Sequence, residues 1–259
     1  QSENNFIYYV LGKKERHTLA DYVTGVEETS TNKIVLYSSA QTGKTTELKQ
    51  LCWELQQSGL YLPVSFEVRT NTKLKRDDLP ESQYVDGREV VLVIDALDEV
   101  NGQKYEDLLE EIGGYAYEHP EMKMVLSYRS NFRRERQLEL FTELFLEELS
   151  IDDARDYAAK REVNSDRFMR SVFANQLEDF IKNPFFLSVL IDAYKGKGKQ
   201  LPKTKADIYK LFIKSSYDKE VKEKNVSLSA QHSFEESVRL LERVALGLSL
   251  MNAQSLNKE

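Results

Sequence analysis

The chain has 259 residues, 41% hydrophobic and 31% charged, which is enough to bury one large core or two small ones. Its 43 acidic against 36 basic side chains leave a net charge of −7, which argues against a non-specific nucleic-acid grip spread over the chain, since phosphate affinity needs clustered Lys and Arg. A single cysteine, Cys52, excludes an internal disulfide and fits a cytoplasmic protein, and no apolar run is long enough for a membrane span or built like a secretion signal.

In chain order, Phe6 to Leu11 is a short apolar, extended segment closed by Gly12, and a charged stretch then leads into an amphipathic helix carrying Leu19, Tyr22, Val23 and Val26. Ile34 to Tyr37 reads as a buried strand, and Leu48, Leu51, Cys52 and Leu55 fall at helical spacing behind it, with Cys52 as a packed thiol. After Gly59 ends that helix, Tyr61 to Val68 reads as a second strand and Asn71 to Gly87 as polar and loop-rich. Glu89 to Ile94 is a third strand, 103 to 118 a helix with Tyr105, Leu108, Leu109 and Ile112 on one face, Met122 to Ser127 a fourth strand and Leu144 to Leu149 a fifth. Strands alternating with helices predict an α/β fold, a parallel sheet covered on both faces. From Ser150 onward the periodicity is helical, with Ser150 and Asp153 as a capping box and helices expected at 151–161, 165–181, 184–194, 204–223 and 233–252. The GKGK run at Gly196 to Lys199 reads as an exposed connection.

The segment SSAQTGKTT, between the first strand and its helix, has the composition of a phosphate-binding loop. Backbone N–H groups of Ser39, Ala40, Gln41, Thr42 and Gly43, with Thr46 in the first helical turn, would wrap the β- and γ-phosphates. Lys44 would neutralise their charge, Thr45 would ligate Mg²⁺, and the helix start adds its positive dipole end. The usual spacing GxxxxGK[ST] has Gly first. Here Ser38 stands in that position and is expected to make a turn that glycine makes without a Cβ penalty.

VVLVIDALDEV places Asp95 at the C-terminal tip of a buried strand, where an open α/β sheet presents its ligands, so Asp95 can hold the Mg²⁺ shell through water. Glu99 or Asp98 can then orient and deprotonate an attacking water, because phosphoryl transfer needs mainly positioning and charge neutralisation. Arg129, after the fourth strand, is placed to reach a γ-phosphate from a neighbouring strand tip. Arg133, Arg134 and Arg136 read better as a solvated helix face, and residues 195 to 205 as a wet loop. His17, His119 and His232 show no metal-ligand spacing. Read alone, Pro184 sits at a first helical turn, where proline is tolerated.

The order SSAQTGKTT, VVLVIDALDEV, VLSYRS, IKNPFFLSVLIDAY and LPKTKADIYKLFI resembles the NACHT branch of the STAND signal-transduction NTPases. The resemblance covers nearly the whole chain. It implies a P-loop NTPase core of the ASCE type with a three-layer sheet at 1–149, an all-helical lid at 150–228, and the start of a further helical or winged-helix region at 229–259. It further implies that Pro184 packs on the adenine of ATP or ADP and that Gly12 belongs to an N-terminal nucleotide-contacting segment. The activity implied is that of a slow Mg²⁺-dependent ATPase switch: ADP holds a closed monomer, and a trigger ligand permits ATP binding and self-association that activates an attached N-terminal effector. Such switches serve innate immunity, including antiphage defence. A work-performing ATPase resembling AAA+ remodellers, acting on nucleic acid or protein, shares the core motifs, and a nucleotide-locked scaffold is also open. The last helix carries Val238, Leu241, Val244, Ala245 and Leu248 on one face, broadened by Leu240, Leu246, Leu250 and Met251, so this chain is expected to need a covering partner, for which a following sensor domain or a lid helix would serve. His232 is too early to be the nucleotide-sensing histidine of a winged-helix domain.

Overall fold

A computed structural model of the chain describes residues 8–9, 18–25, 31–39, 42–68, 74–97, 103–130, 140–196, 201–223 and 233–250. The expected site residues Gly12, Ala40, Gln41, Asp98 and Glu99 lie outside these ranges, as do Arg133, Arg134, Arg136, His17, His232, Met251 and most of the GKGK run.

Among the described residues five strands run parallel: β2 (Lys33–Ser38), β3 (Tyr61–Glu67), β5 (Arg88–Asp95), β6 (Lys123–Arg129) and β7 (Thr142–Leu146). Their order across the sheet is β7-β2-β6-β5-β3. Two short antiparallel strands complete it, β1 (Tyr8–Tyr9) on β7 and β4 (Tyr84–Val85) on β5. The second lies at the end of the loop-rich stretch 71 to 87. Asp86 and Gly87 both take positive φ, 51° and 76°, which is the backbone of a two-residue hairpin turn, and a 3-10 turn at Arg76–Asp78 precedes it. The last parallel strand also starts and ends earlier than the expected 144 to 149.

Side chains alternate across each strand, and both faces are apolar because both are covered. Ile34, Leu36, Val91, Val93, Val125 and Leu144 face α1 (Leu19–Thr24) and α2 (Lys44–Ser58), while Val35, Tyr37, Leu92, Ile94, Met124 and Leu126 face α3 (Gln103–Glu118). The result is helix, sheet, helix. Thr18 caps α1 with a reciprocal pair to Asp21, and Gly59, at φ 70°, ends α2.

Beyond β7 the described residues form helices: α4 (Ile151–Lys160), α5 (Ser165–Ala174), α6 (Glu178–Ile181), α7 (Pro184–Gly196), α8 (Lys205–Glu223) and α9 (Phe234–Leu250). Ser150 Oγ accepts from the Asp153 N–H at 3.1 Å, and the Asp153 carboxylate accepts from the Ser150 N–H at 3.0 Å. Helices α4 to α8 enclose a core of their own around Phe168, Leu187, Leu190, Ile191 and Phe212. The expected single helix at 165–181 is two helices. Gln176 takes a left-handed φ of 56°, and the Asn175 side-chain amide donates to the Ser171 carbonyl at 2.7 Å, closing α5 before α6 begins. On α9, Leu240, Leu241 and Leu246 are exposed. Among the described residues no helix is long and apolar enough to cross a membrane.

Candidate functional site

Strand alternation decides which side chains converge at the C-terminal ends of the parallel strands. Positions 34 and 36 face α2, so Ser38, two further on, faces it too; the same count on β5, β6 and β3 brings Asp95, Ser127, Arg129 and Glu67 to that face. Register places Ser38 directly opposite Arg129 and Glu67 directly opposite Asp95. One strand, β6, separates the loop strand from the Asp95 strand, so Arg129 stands at the tip between the two.

Ser38 does not make the turn expected of it. It is the last residue of β2, is buried, and keeps an ordinary negative φ; the left-handed conformation falls on Gly43, at φ 99°, just before α2. The serine hydroxyl instead ties the loop together. It accepts from Thr42 Oγ1 at 2.6 Å and from the Lys44 ammonium at 3.0 Å, and the ammonium also reaches the Ser39 carbonyl at 3.4 Å. Lys44 is thereby folded back over the loop, and its charge sits beside the start of the 15-residue helix α2, whose orphan N–H groups add partial positive charge there. Thr42 is buried and Thr46 exposed at this end.

The carboxylate of Asp95 is held from two directions. Ser127 Oγ donates a short hydrogen bond to Asp95 Oδ1, and the backbone N–H of Ala96 donates to the same oxygen at 2.9 Å. Ala96 is a non-glycine residue at φ 64°, a conformation that costs on the order of 1 kcal/mol, and it is the point where the chain turns away from the sheet after Asp95. Ser127 is fully buried.

A cavity of about 210 Å³ opens beside these groups, lined by Thr45, Leu48, Lys49 and Cys52 of α2, Ser65, Phe66 and Glu67 of β3, and Val93 and Asp95 of β5. Beside the apolar Leu48, Phe66 and Val93, its lining carries two hydroxyls, of Thr45 and Ser65, two carboxylates and one ammonium. Thr45 and Asp95 thus share one space. Among the described residues no group of three or more His, Cys, Asp and Glu gathers at metal-binding distance. A hydroxyl and a carboxylate, as Thr45 and Asp95 supply, are oxygen donors of the kind that hard cations such as Mg²⁺ take. Cys52 lies two helical turns below Thr45, half-buried, and burial pushes its thiol above the ordinary value of 9.0, opposite to what a nucleophile needs.

Pro184 is the first residue of α7. Asn183 precedes it as the cap, with Oδ1 accepting from the Phe185 N–H at 2.9 Å, and the Leu149 N–H donates to the Lys182 carbonyl at 2.8 Å, so this segment is tied to the chain leaving β7. Two residues at the site escaped the sequence reading, Ser127 and Glu67. Both positions were available from the period-2 count, but only after strand order and register put their strands beside Asp95. Against models of known protein families and against curated proteins, the chain finds no match.

Proposed function

We propose that this chain is the nucleotide-binding module of a NACHT-type STAND switch, which binds ATP with Mg²⁺, hydrolyses it slowly, and couples the nucleotide to self-association and an attached effector. The observation that carries the reading is that Ser38, Asp95 and Arg129 lie on one face at the C-terminal ends of neighbouring parallel strands, beside Thr45 at the start of α2. The insertion of β6 between the loop strand and the Asp95 strand supports an ASCE-type core, and the helical core from α4 to α8 supports a lid.

In this reading the loop N–H groups and Lys44 bind and orient the phosphates, and Arg129 adds positive charge where the γ-phosphate lies. Thr45 and Asp95 hold a Mg²⁺ ion, whose chemistry when bound is to neutralise phosphate oxygens and fix their geometry. The Ser127 and Ala96 hydrogen bonds hold the Asp95 carboxylate in position for that task. Glu99, or Asp98 beside it, serves as the base that orients water, and Pro184 meets the adenine from the lid. The AAA+-like remodeller and the nucleotide-locked scaffold use the same core and separate on kinetics: stimulated turnover marks the first, and retention without hydrolysis the second.

The test is ATP binding by calorimetry with and without Mg²⁺, for wild type and for Lys44→Ala with circular dichroism to establish folding. The expected result is Mg²⁺-supported binding that Lys44→Ala abolishes, with one tightly retained nucleotide and turnover far below once per second. Unchanged affinity in the folded variant would remove the phosphate-loop assignment.

A further inference from the structure

We infer that Glu67 is a second acidic positioning residue of the cation site, acting on the Mg²⁺ shell from the strand next to Asp95. The assignment rests on the nucleotide reading above and adds to it a residue that the sequence motifs do not contain. The parallel register sets Glu67 opposite Asp95, and neighbouring strands lie about 4.8 Å apart, so the two side chains leave the sheet on the same face and side by side. The register is fixed at this point by the Val68 N–H, which donates to the Asp95 carbonyl at 3.0 Å. Both carboxylates line the cavity that Thr45 also enters, and their environments differ: Asp95 is buried and doubly hydrogen-bonded, while Glu67 is exposed at the rim.

That difference divides the work. Asp95 is fixed and suits a direct or single-water contact, whereas an exposed glutamate one strand further out reaches the outer waters of the ion. A negative charge there has opposite effects on the two forms of the ligand. It repels the phosphates when no cation is present and attracts the hydrated cation when one is. Lys49 shares the rim and partly offsets Glu67, so the effect is one of a few fold.

The experiment uses the full chain with a fluorescent ATP analogue, titrated first in EDTA and then with MgCl₂, in wild type, Glu67→Gln and Glu67→Asp. The expected result for Glu67→Gln is metal-free affinity equal to wild type or up to about threefold tighter, and a Mg²⁺ concentration for half-maximal enhancement raised at least threefold, with Glu67→Asp between the two. A purely structural role would instead lower both affinities together, and that result, or an unchanged Mg²⁺ response, overturns the assignment while leaving the nucleotide reading in place. Wild-type protein that binds no analogue in either buffer overturns both.

Discussion

Replacing Ser127 by alanine tests how the site's acid is held. Ser127 is fully buried and its hydroxyl does two jobs, donating to Asp95 Oδ1 and accepting from the Ala96 N–H at 3.1 Å. A hydrogen bond to a charged group contributes about 1.5–3 kcal/mol. The Ala96 N–H keeps its 2.9 Å bond to Asp95, so its loss of the hydroxyl adds little. The expected destabilisation is therefore about 2 kcal/mol, and at about 2–4 °C per kcal/mol for a chain of this size the melting temperature falls by about 4–8 °C. Trp53, the chain's one tryptophan, is exposed on α2, whose opposite face packs on the sheet, so its fluorescence in a urea titration follows the loss of α2 and with it the unit that contains Ser127. The Mg²⁺ dependence of nucleotide binding should weaken in the same variant, since a loosened carboxylate holds the ion less well. A loss below about 0.5 kcal/mol would refute the reasoning, because it would mean that water or another donor replaces the hydroxyl at no cost.

Tyr128 donates to Tyr105 at 2.7 Å inside the sheet and α3 core, so either single change to phenylalanine should cost about 1 kcal/mol in urea unfolding, and the double variant should cost clearly less than the sum; strict additivity would show that the pair is uncoupled. The Cys52 thiol has a folded pKa raised by burial above its ordinary 9.0. A raised folded value means stability that is fully present below the ordinary value and lost as pH rises through the folded one, so the urea-midpoint gap between wild type and Cys52→Ala should shrink from pH 8 to pH 10. A gap that stays constant over that range would show that the thiol ionises alike in both states.

How much was legible follows from the range of each interaction. The apolar run at Ile34 to Tyr37, the Gly43-Lys44-Thr45 triplet, the capping box at Ser150 and Asp153 and the helical spacing of Tyr105, Leu108 and Ile112 are local signals, written within a turn or a strand, and the structure places the corresponding elements there. Local signals that depend on one backbone angle were harder. The Asp86-Gly87 hairpin was absorbed into a polar stretch, and the left-handed Gln176 split a helix whose apolar periodicity runs through the break. At Ser38 the residue type alone suggested a strained turn, and the extended backbone with Gly43 carrying the positive φ removed it.

The sequence by itself determined the alternation of strands and helices, the switch to helices at Ser150, and the presence of a small-residue loop before α2, because each is a pattern of hydrophobicity or of special residues over a few positions. Tertiary structure alone decided that β6 lies between the loop strand and the Asp95 strand, that Arg129 faces Ser38, and that Ser127 and Glu67 stand beside Asp95. The physical reason is that strand order and register are pairings between segments far apart in the chain, and no residue carries the name of its partner across the sheet. A slip of one position would have turned every one of these side chains to the opposite face, away from α2 and the loop, so the site exists only in the register that the two buried faces of the sheet impose.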